Sequence, residues 1–479
     1  MKSIASVLSI IALGFGLLGC PGGGDGSSSG GSGGSGGSGT VVYLADQDTI
    51  GVFELYLATS GTRLNPPLAA GRTVTSFALT PNASAVIYIA DQDQDDVFEL
   101  YLVSLATPGV SIQLNPVLVA GGNVVEFAVT PDNSAVVYRA DQTIDETFEL
   151  YRTVLASGVN SKLNPPYAPL SGQDVNAFVI LPDSSGVIYR ADQNTNDVFE
   201  LYRHLFTAAP LLNERLVSPS LMFTQNVGAF AATPNSLNVV YIANQPIVSK
   251  NQLFIVPAGG GSSNVLNGVL VANGDVTDFA VTPDNSAVVY RADQDTDEVF
   301  ELYRVNLAAP GSSVKLNGLL VPGGNVTLFG VIPDSSGVVY IADQTTNNVF
   351  ELFQTTALSV NPQLNPFFSG LEDVEDFVLL PNSSGVVYRA DQNTDGVNEI
   401  YSVAFGIPGS TRLNPALAPG QNVSTYAVAP DSSSAIYRAN QDNPAIIELY
   451  RTLFSSPGSS TKLNSLLVAG EDVANFTVR

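Results

Sequence analysis

The sequence predicts an all-β protein, a single closed β-propeller of four-stranded blades in which the C-terminal strand closes the ring. Three observations lead to this prediction. A unit of about 50 residues recurs from Val41 onwards, each unit holds four short apolar runs, and the first and last units are offset in phase. Hydrophobic residues make up 45% of the 479-residue chain and charged residues 13%, so there is enough apolar surface for a large core.

The repeat is counted most easily on an Ala-Asp-Gln or Ala-Asn-Gln motif, whose glutamine recurs at intervals of 45 to 52 residues. The positions are Gln47, Gln92, Gln142, Gln193, Gln245, Gln294, Gln344, Gln392 and Gln441. Nine copies predict nine blades. Because the fifth copy departs most from the pattern, eight blades is the alternative.

The sixth copy shows the predicted strands most fully. Its apolar runs are residues 279–282, 288–292, 300–305 and 314–316. Pro283 and the polar residues after it form a turn between the first two runs, and an acidic loop, residues 293–298, separates the second from the third. The second and third runs are apolar at nearly every position, as expected for strands sandwiched between neighbouring blades.

The phase of the repeat predicts how the ring closes. The repeats begin at Val41 on a second strand, whereas residues 472–478 at the C-terminus match a first strand. The last strand can therefore complete the blade begun by residues 41–65, which leaves no unpaired edge.

The motif Thr-Pro-Asp-x-x-x-Val-Val-Tyr-x-Ala-Asp-Gln, followed by Glu-Leu-Tyr, resembles the propeller repeats of the TolB protein family. The resemblance covers essentially all of residues 41–479 and implies the same blade architecture. The N-terminal α/β domain of TolB has no counterpart in this chain, so the resemblance does not imply the cellular role of TolB.

The N-terminus has the pattern of an export signal. Lys2 precedes an apolar stretch, residues 4–18, that is too short for a transmembrane helix. The Leu-Leu-Gly-Cys sequence that follows resembles the lipobox of bacterial lipoproteins. The resemblance implies that residues 1–19 are a signal peptide and that Cys20, the single cysteine, is lipidated. An ordinary cleaved signal with an incidental cysteine is the alternative.

Residues 20–40 are the predicted lipidated cysteine and its tether. The tether is almost entirely Gly and Ser and, as a random coil of about 20 residues, would reach roughly 25 Å. Pro21, rather than Asp, follows Cys20, which favours the outer membrane or cell surface if the source is Gram-negative. Residues 41–479 form the predicted propeller, and we expect a monomer.

A negative surface field is the dominant electrostatic feature. The net charge is −25, which excludes nucleic acid as a favourable partner because phosphates would be repelled. The loops between second and third strands contain 19 carboxylates against one base, Lys250. These loops predict an acidic end of the ring that points away from the membrane.

This acidic end has three interpretations: a solvated rim, a surface for a basic protein partner, or a set of calcium sites. The calcium interpretation depends on alternating oxygen ligands, although the glutamate expected at position twelve of a calcium loop is missing. The candidate ligands are Asp91, Asp93 and Asp95; Asp293, Asp295 and Asp297; and Asp391, Asn393 and Asp395. We expect no other cofactor.

A recurring arginine and a recurring glutamate predict structural ion pairs across the hairpins. Counting back from the hairpin centre places Arg291 opposite Glu301, and likewise Arg139 opposite Glu149. A catalytic carboxylate pair is the rival interpretation, but an active site is normally single, whereas these residues recur around the ring.

No catalytic constellation is visible in the sequence. The single histidine, His204, is expected at the surface, and the single cysteine is assigned to the lipid, so His-dependent triads and metal sites cannot be assembled. The sequence therefore predicts a non-enzymatic, lipid-anchored platform for a protein or other envelope component. The alternatives are an enzyme that acts on extracellular glycan through channel carboxylates, and a calcium-stabilised adhesive or structural protein.

Overall fold

The computed structural model describes residues 39–479 except 168–171, 208–212, 218–220, 222–224, 246–249, 356–360 and 369. The predicted signal peptide, Cys20 and the tether up to residue 38 lie outside the described residues. Within the described part the chain forms 35 strands in nine antiparallel sheets arranged as a propeller, and it contains no helix long and apolar enough to cross a bilayer. The predicted all-β fold is confirmed.

Blade 1 joins the two ends of the ring through β1 (Val41–Ala45), β2 (Glu54–Leu57), β3 (Thr62–Arg63) and β35 (Val473–Val478). Blade 2 contains β4 (Val74–Leu79), β5 (Ala85–Ala90), β6 (Glu99–Ser104) and β7 (Ser111–Gln113). Blade 3 contains β8 (Val124–Val129), β9 (Ala135–Ala140), β10 (Glu149–Val154) and β11 (Asn160–Lys162). Blade 4 contains β12 (Val175–Ile180), β13 (Gly186–Ala191), β14 (Glu200–Leu205) and β15 (Asn213–Arg215).

Blade 5 contains β16 (Val227–Ala232), β17 (Asn238–Ala243), β18 (Gln252–Pro257) and β19 (Asn264–Val265). Blade 6 contains β20 (Val276–Val281), β21 (Ala287–Ala292), β22 (Glu301–Asn306) and β23 (Ser313–Lys315). Blade 7 contains β24 (Val326–Val331), β25 (Val338–Ala342) and β26 (Glu351–Gln354). Blade 8 contains β27 (Val374–Leu379), β28 (Gly385–Ala390), β29 (Glu399–Ala404) and β30 (Thr411–Arg412). Blade 9 contains β31 (Val423–Val428), β32 (Ser434–Ala439), β33 (Glu448–Leu453) and β34 (Thr461–Lys462).

The blade number follows the repeat count. The divergent fifth unit forms a complete four-stranded blade, so the alternative of eight blades is wrong. In blade 7 the described residues form a three-stranded sheet, and a single bridge between Phe353 and Gln363 stands where the other blades have a fourth strand.

Ring closure occurs where the phase of the repeat predicts it. Strand β35 pairs antiparallel with β1, with Val478 opposite Val41 and Phe476 opposite Tyr43. Thr40 and Arg479 exchange two backbone hydrogen bonds of 2.6 and 2.9 Å beyond the paired strands. Both ends of the ring thus belong to blade 1, and β1 is paired on both of its edges, with β2 and with β35.

The core consists of the second and third strands, which are buried between blades. In blade 6, Tyr290 on β21 lies opposite Tyr303 on β22, and the rings stack at 5.5 Å between centroids. An equivalent Tyr–Tyr or Tyr–Phe stack occurs in every blade at 5.3 to 5.5 Å. The Tyr290 hydroxyl donates to Gln294 Oε1 at 2.6 Å, which explains the constant spacing between the motif tyrosine and glutamine.

The first strands of adjacent blades contact one another, so they are the inner strands and line the central channel. The loops between second and third strands and those that connect consecutive blades lie on one end of the ring, here called the hairpin face. They touch there: Val271 N donates to Gln294 O at 3.0 Å. Thr40, the last residue of the predicted tether, lies at the opposite end, because β1 runs from Val41 towards its hairpin.

Candidate functional site

The first Asp or Asn of each hairpin is a structural residue. In blade 6, buried Asp293 accepts the backbone N–H of Asp275 through Oδ1 at 2.6 Å and that of Glu298 through Oδ2 at 3.1 Å. The residue thereby joins its hairpin to the loop that leads into the inner strand. In each of the other eight blades an Oδ1 atom accepts the equivalent backbone N–H. The residues are Asp46, Asp91, Asp141, Asp192, Asn244, Asp343, Asp391 and Asn440.

The predicted calcium ligands are not brought together. The leading Asp91, Asp293 and Asp391 are buried and use their oxygens on backbone N–H groups. The middle residues contact the third or the fourth strand: Asp93 accepts from Tyr101 Oη at 3.1 Å, Asp295 pairs with Lys315 Nζ at 3.0 Å, and Asn393 donates to Tyr401 Oη at 2.9 Å.

The last carboxylates of the three triplets, Asp95, Asp297 and Asp395, are exposed at the hairpin tips. Across the described residues, no group of three or more His, Cys, Asp or Glu side chains could hold a metal ion. In these three hairpins the oxygens of each triplet are thus directed to different partners or to solvent, and calcium binding at these residues stays a prediction.

The predicted cross-strand ion pairs are wrong by one position. Ala292 lies opposite Glu301 and Arg291 lies opposite Leu302, while Glu149 lies opposite Ala140. Because successive side chains in a strand point to opposite faces, this shift places the arginine and the glutamate on different faces of the blade.

In six blades the recurring glutamate instead pairs with a cation on the fourth strand, and in blades 2 and 7 Glu99 and Glu351 accept from Gln113 and Gln363. In blade 6, buried Glu301 accepts from Lys315 Nζ at 2.6 Å and from Tyr303 Oη at 3.1 Å. Burial and then the charge of Glu301 raise the pKa of Tyr303, so the phenol stays protonated and donates. Equivalent ion pairs join Glu54 to Arg63, Glu149 to Lys162, Glu200 to Arg215, Glu399 to Arg412 and Glu448 to Lys462.

The recurring arginine holds adjacent blades together. Arg291 Nε donates to Thr277 Oγ1 at 3.0 Å, and its Nη1 donates to the carbonyls of Val326 and Thr327 on the next inner strand at 3.4 and 2.6 Å. Its guanidinium also lies 5.7 Å from the centroid of the Phe300 ring. Burial lowers the pKa of Arg291, with the Asp278 charge opposing the shift. Arg139, Arg190, Arg389 and Arg438 bind the next inner strand in the same way.

Three blades place carboxylates on the channel wall opposite these arginines. Glu126 pairs with Arg139 at 3.2 Å and Asp376 with Arg389 at 2.6 Å, and Asp278 lies opposite Arg291. They belong to blades 3, 8 and 6, so no two of the three are on neighbouring blades. The described channel wall therefore shows neither one acidic sector nor ninefold repetition.

His204 is buried, with 5% of its surface exposed, so its predicted surface position is wrong. It lies on β14 opposite Val187, at the position that Thr153 and Val305 hold in blades 3 and 6. Burial lowers its pKa, and Arg152 adds to that shift while Asn213 opposes it. The neutral form is therefore favoured in the folded protein.

An apolar ring on the hairpin face was not anticipated. Two residues after the position of the recurring Leu-Asn, large apolar side chains are 79 to 95% exposed at Val117, Val269, Leu319, Phe367 and Leu466. Pro67, Pro166 and Ala416 hold the same position and are also exposed, while the fourth copy falls outside the described residues. The sequence signal that could have revealed them is an apolar residue recurring just after Leu-Asn-Pro, Leu-Asn-Gly or Leu-Asn-Ser. We call these eight residues the apolar ring.

The described ring defines the chain as a β-propeller protein. No family model matches the chain, and no curated protein sequence matches it. Among solved structures it is similar to a eukaryotic initiation factor, with a TM-score of 0.57 and 11% identity over 91% of this chain and 98% of that one. At this identity the similarity shows the fold alone.

Two further similarities have TM-scores under 0.5 and support no conclusion about activity. A prolyl endopeptidase structure gives a TM-score of 0.48 at 11% identity over 78% of this chain, which spans 55% of the length of that protein. TolB from Acinetobacter baumannii gives 0.32 at 16% identity over 56% of this chain and 61% of that one.

Proposed function

We propose that this chain is a lipid-anchored β-propeller of a bacterial cell envelope that acts as a non-enzymatic platform and binds a basic protein partner through the hairpin face. The observation that carries the proposal is the apolar ring: the same loop position exposes an apolar residue in eight described copies, beside acidic hairpins. Exposed apolar side chains in a recurring arrangement are typical of interaction surfaces.

The loops that carry the apolar ring contact the acidic hairpins. Gly318 N, next to Leu319, donates to Gln344 Oε1 at 3.1 Å in the hairpin of the following blade. The exposed hairpin carboxylates at residues 95, 145, 297 and 395 therefore share one surface with the apolar ring. A basic partner with apolar side chains would be steered by the negative field and held by apolar contact.

The channel carboxylates support a platform better than an enzyme. Glu126 and Asp376 are each neutralised by an arginine of the same blade, at 3.2 and 2.6 Å. A pair of carboxylates that exchanges protons with a glycan needs both groups beside one bond, and these residues lie on separated blades.

The anchor is tested by metabolic labelling with a radioactive fatty acid. We expect label on the full chain and its loss in Cys20→Ser, with the variant released from membranes. Equal labelling of both chains, or membrane retention of the variant, would contradict the anchor.

The binding face is tested by site-specific photo-crosslinking in intact cells. A photoreactive residue at position 319 on the hairpin face is compared with one at position 110, which is also exposed but lies in a third-to-fourth-strand loop at the other end. We expect a discrete crosslinked protein from position 319 only, weakened by Asp297→Lys. Crosslinking from position 110 alone would overturn the assignment of the face.

A further inference from the structure

A cavity of about 420 Å³ opens at the channel wall between blades 2 and 3. It is lined by Thr75, Ser76, Ile89, Phe98, Asn123, Val124 and Val125. Three of these residues, Thr75, Ser76 and Val125, are exposed, so the cavity is accessible from the channel.

The cavity has the parts of the site that binds Arg291 in blade 6. Ile89 stands at the position of Arg291, opposite Ser76 as Arg291 is opposite Asp278. Thr75 corresponds to Thr277, and their hydroxyls make the same bond to the second-strand carbonyl, at 3.4 and 3.3 Å.

The acceptors and the ring correspond as well. Val124 and Val125 are the first two residues of the next inner strand, as are Val326 and Thr327, whose carbonyls accept from Arg291. Phe98 precedes the third strand just as Phe300 does beneath the Arg291 guanidinium. The hydroxyl, the two carbonyls and the aromatic ring that hold Arg291 thus have counterparts in this cavity, while Ser76 replaces Asp278 and Ile89 supplies no guanidinium.

We propose that this cavity binds a guanidinium group, which an arginine side chain of the protein partner supplies. Only the source of the arginine rests on the proposed function; the site itself does not. Two backbone carbonyls and the Thr75 hydroxyl can accept the planar set of N–H donors of a guanidinium, and the ring of Phe98 provides an aromatic face against which the guanidinium can stack. A lysine ammonium fits this planar arrangement less well.

The binding test uses the full chain in detergent and titrates it calorimetrically at low salt. The probes are acetyl-Gly-Arg-Gly-amide, the same peptide with lysine or citrulline, and free L-arginine. We expect the arginine peptide to bind about tenfold more tightly than the lysine and citrulline peptides. Equal affinity of the three peptides would overturn the site. Tighter binding of the arginine peptide than of L-arginine supports a protein source, and the reverse contradicts it.

Two variants locate the binding. Ile89→Arg should fill the cavity with the chain's own guanidinium and abolish peptide binding while the protein stays folded. Ser76→Glu copies Glu126, which lies opposite Arg139, and should tighten binding of the arginine peptide about threefold or more. Thr425→Glu is the matched control, because Arg438 already lies opposite Thr425.

The two variants separate misfolding from failure of the site. If Ile89→Arg does not fold, Ser76→Glu still decides: no gain over Thr425→Glu would overturn the proposal. A folded Ile89→Arg protein that binds the peptide unchanged would also overturn it. Neither result depends on the crosslinking outcome, so failure here is distinguishable from failure of the proposed binding face.

Discussion

Blades 5 and 6 keep the same backbone and differ in the side chains that join their third and fourth strands. In blade 6 a buried Glu301 is satisfied by Tyr303 and Lys315. In blade 5 the three equivalent positions are Gln252, Phe254 and Val265. The carboxylate, the phenol and the cation are all absent together from this described blade.

Both blades retain the amide that ends each unit. Asn267 Oδ1 accepts from Leu253 N at 2.8 Å, and Asn317 Oδ1 accepts from Leu302 N at 2.7 Å. A blade therefore tolerates loss of the ionic group but keeps the side chain that satisfies a buried backbone N–H. The difference teaches that the glutamate depends on a donor from the fourth-strand side, because a buried carboxylate without a partner is costly. In blades 2 and 7 this donor is an amide: Gln113 donates to Glu99, and Gln363 donates to Glu351.

The largest effect on the free energy of unfolding is expected from adding the glutamate to blade 5 without its lysine. Gln252→Glu would place a carboxylate in blade 5, where Val265 holds the position of the cation, and should lower the free energy of unfolding by about 3 kcal/mol. Urea denaturation followed by tyrosine fluorescence measures this change. The double variant Gln252→Glu, Val265→Lys should recover most of the lost stability. If Gln252→Glu alone is as stable as the natural chain, the conclusion drawn from comparing blades 5 and 6 is contradicted.

A smaller effect is expected from removing the cation in blade 6. Lys315→Val should cost about 2 kcal/mol, because Tyr303 still donates to Glu301. The triple variant Glu301→Gln, Tyr303→Phe, Lys315→Val copies blade 5 and should unfold within about 1 kcal/mol of the natural chain. A triple variant less stable than Lys315→Val would mean that the three residues do not act as a group.

The smallest effect is on the pH dependence of stability. It involves the third strand of blade 4, where His204 holds the position of Val305 in blade 6. The folded-state pKa of His204 is lowered by burial, so its contribution is present above the unfolded pKa of about 6.5 and is lost as the pH falls below that value.

His204→Val should therefore gain stability relative to the natural chain, by up to about 1 kcal/mol, as the pH falls from 7 to 5. Thermal melts at both pH values measure the difference between the two proteins. Both proteins contain the same carboxylates, so the titration of these groups cancels in the difference. A stability difference that does not change between pH 7 and pH 5 would contradict the lowered pKa of His204.

Much of the fold could be predicted because its signal is local and repeated. The alternation of apolar runs and turns gave the strands, and the phase of Val41 against residues 472–478 predicted the pairing of β1 with β35. The candidate sites were predicted less well. An error of one residue in the hairpin register moved Arg291 and Glu301 to opposite faces, because side chains alternate along a strand.

The acidic triplets of the hairpins show a related limit of sequence reasoning. Sequence spacing shows where oxygen atoms occur along the chain but not which hydrogen bonds already use them. Both carboxylate oxygens of Asp293 accept backbone N–H groups, and one of these donors, Asp275, is 18 residues away in the sequence. The pattern Asp-x-Asp-x-Asp is thus compatible with a turn-stabilising residue followed by exposed ones.

The sequence by itself determined the blade and the point of ring closure, since both depend on apolar periodicity and turn residues within about 50 positions, while the structure decided between eight and nine blades. Only the tertiary structure decided which side chains meet. Arg291 finds its acceptor at Thr327, 36 residues away on the next blade, and the cavity beside Ile89 exists only where two blades adjoin. Contacts between blades depend on register and on the angle between sheets, which the repeat pattern does not encode.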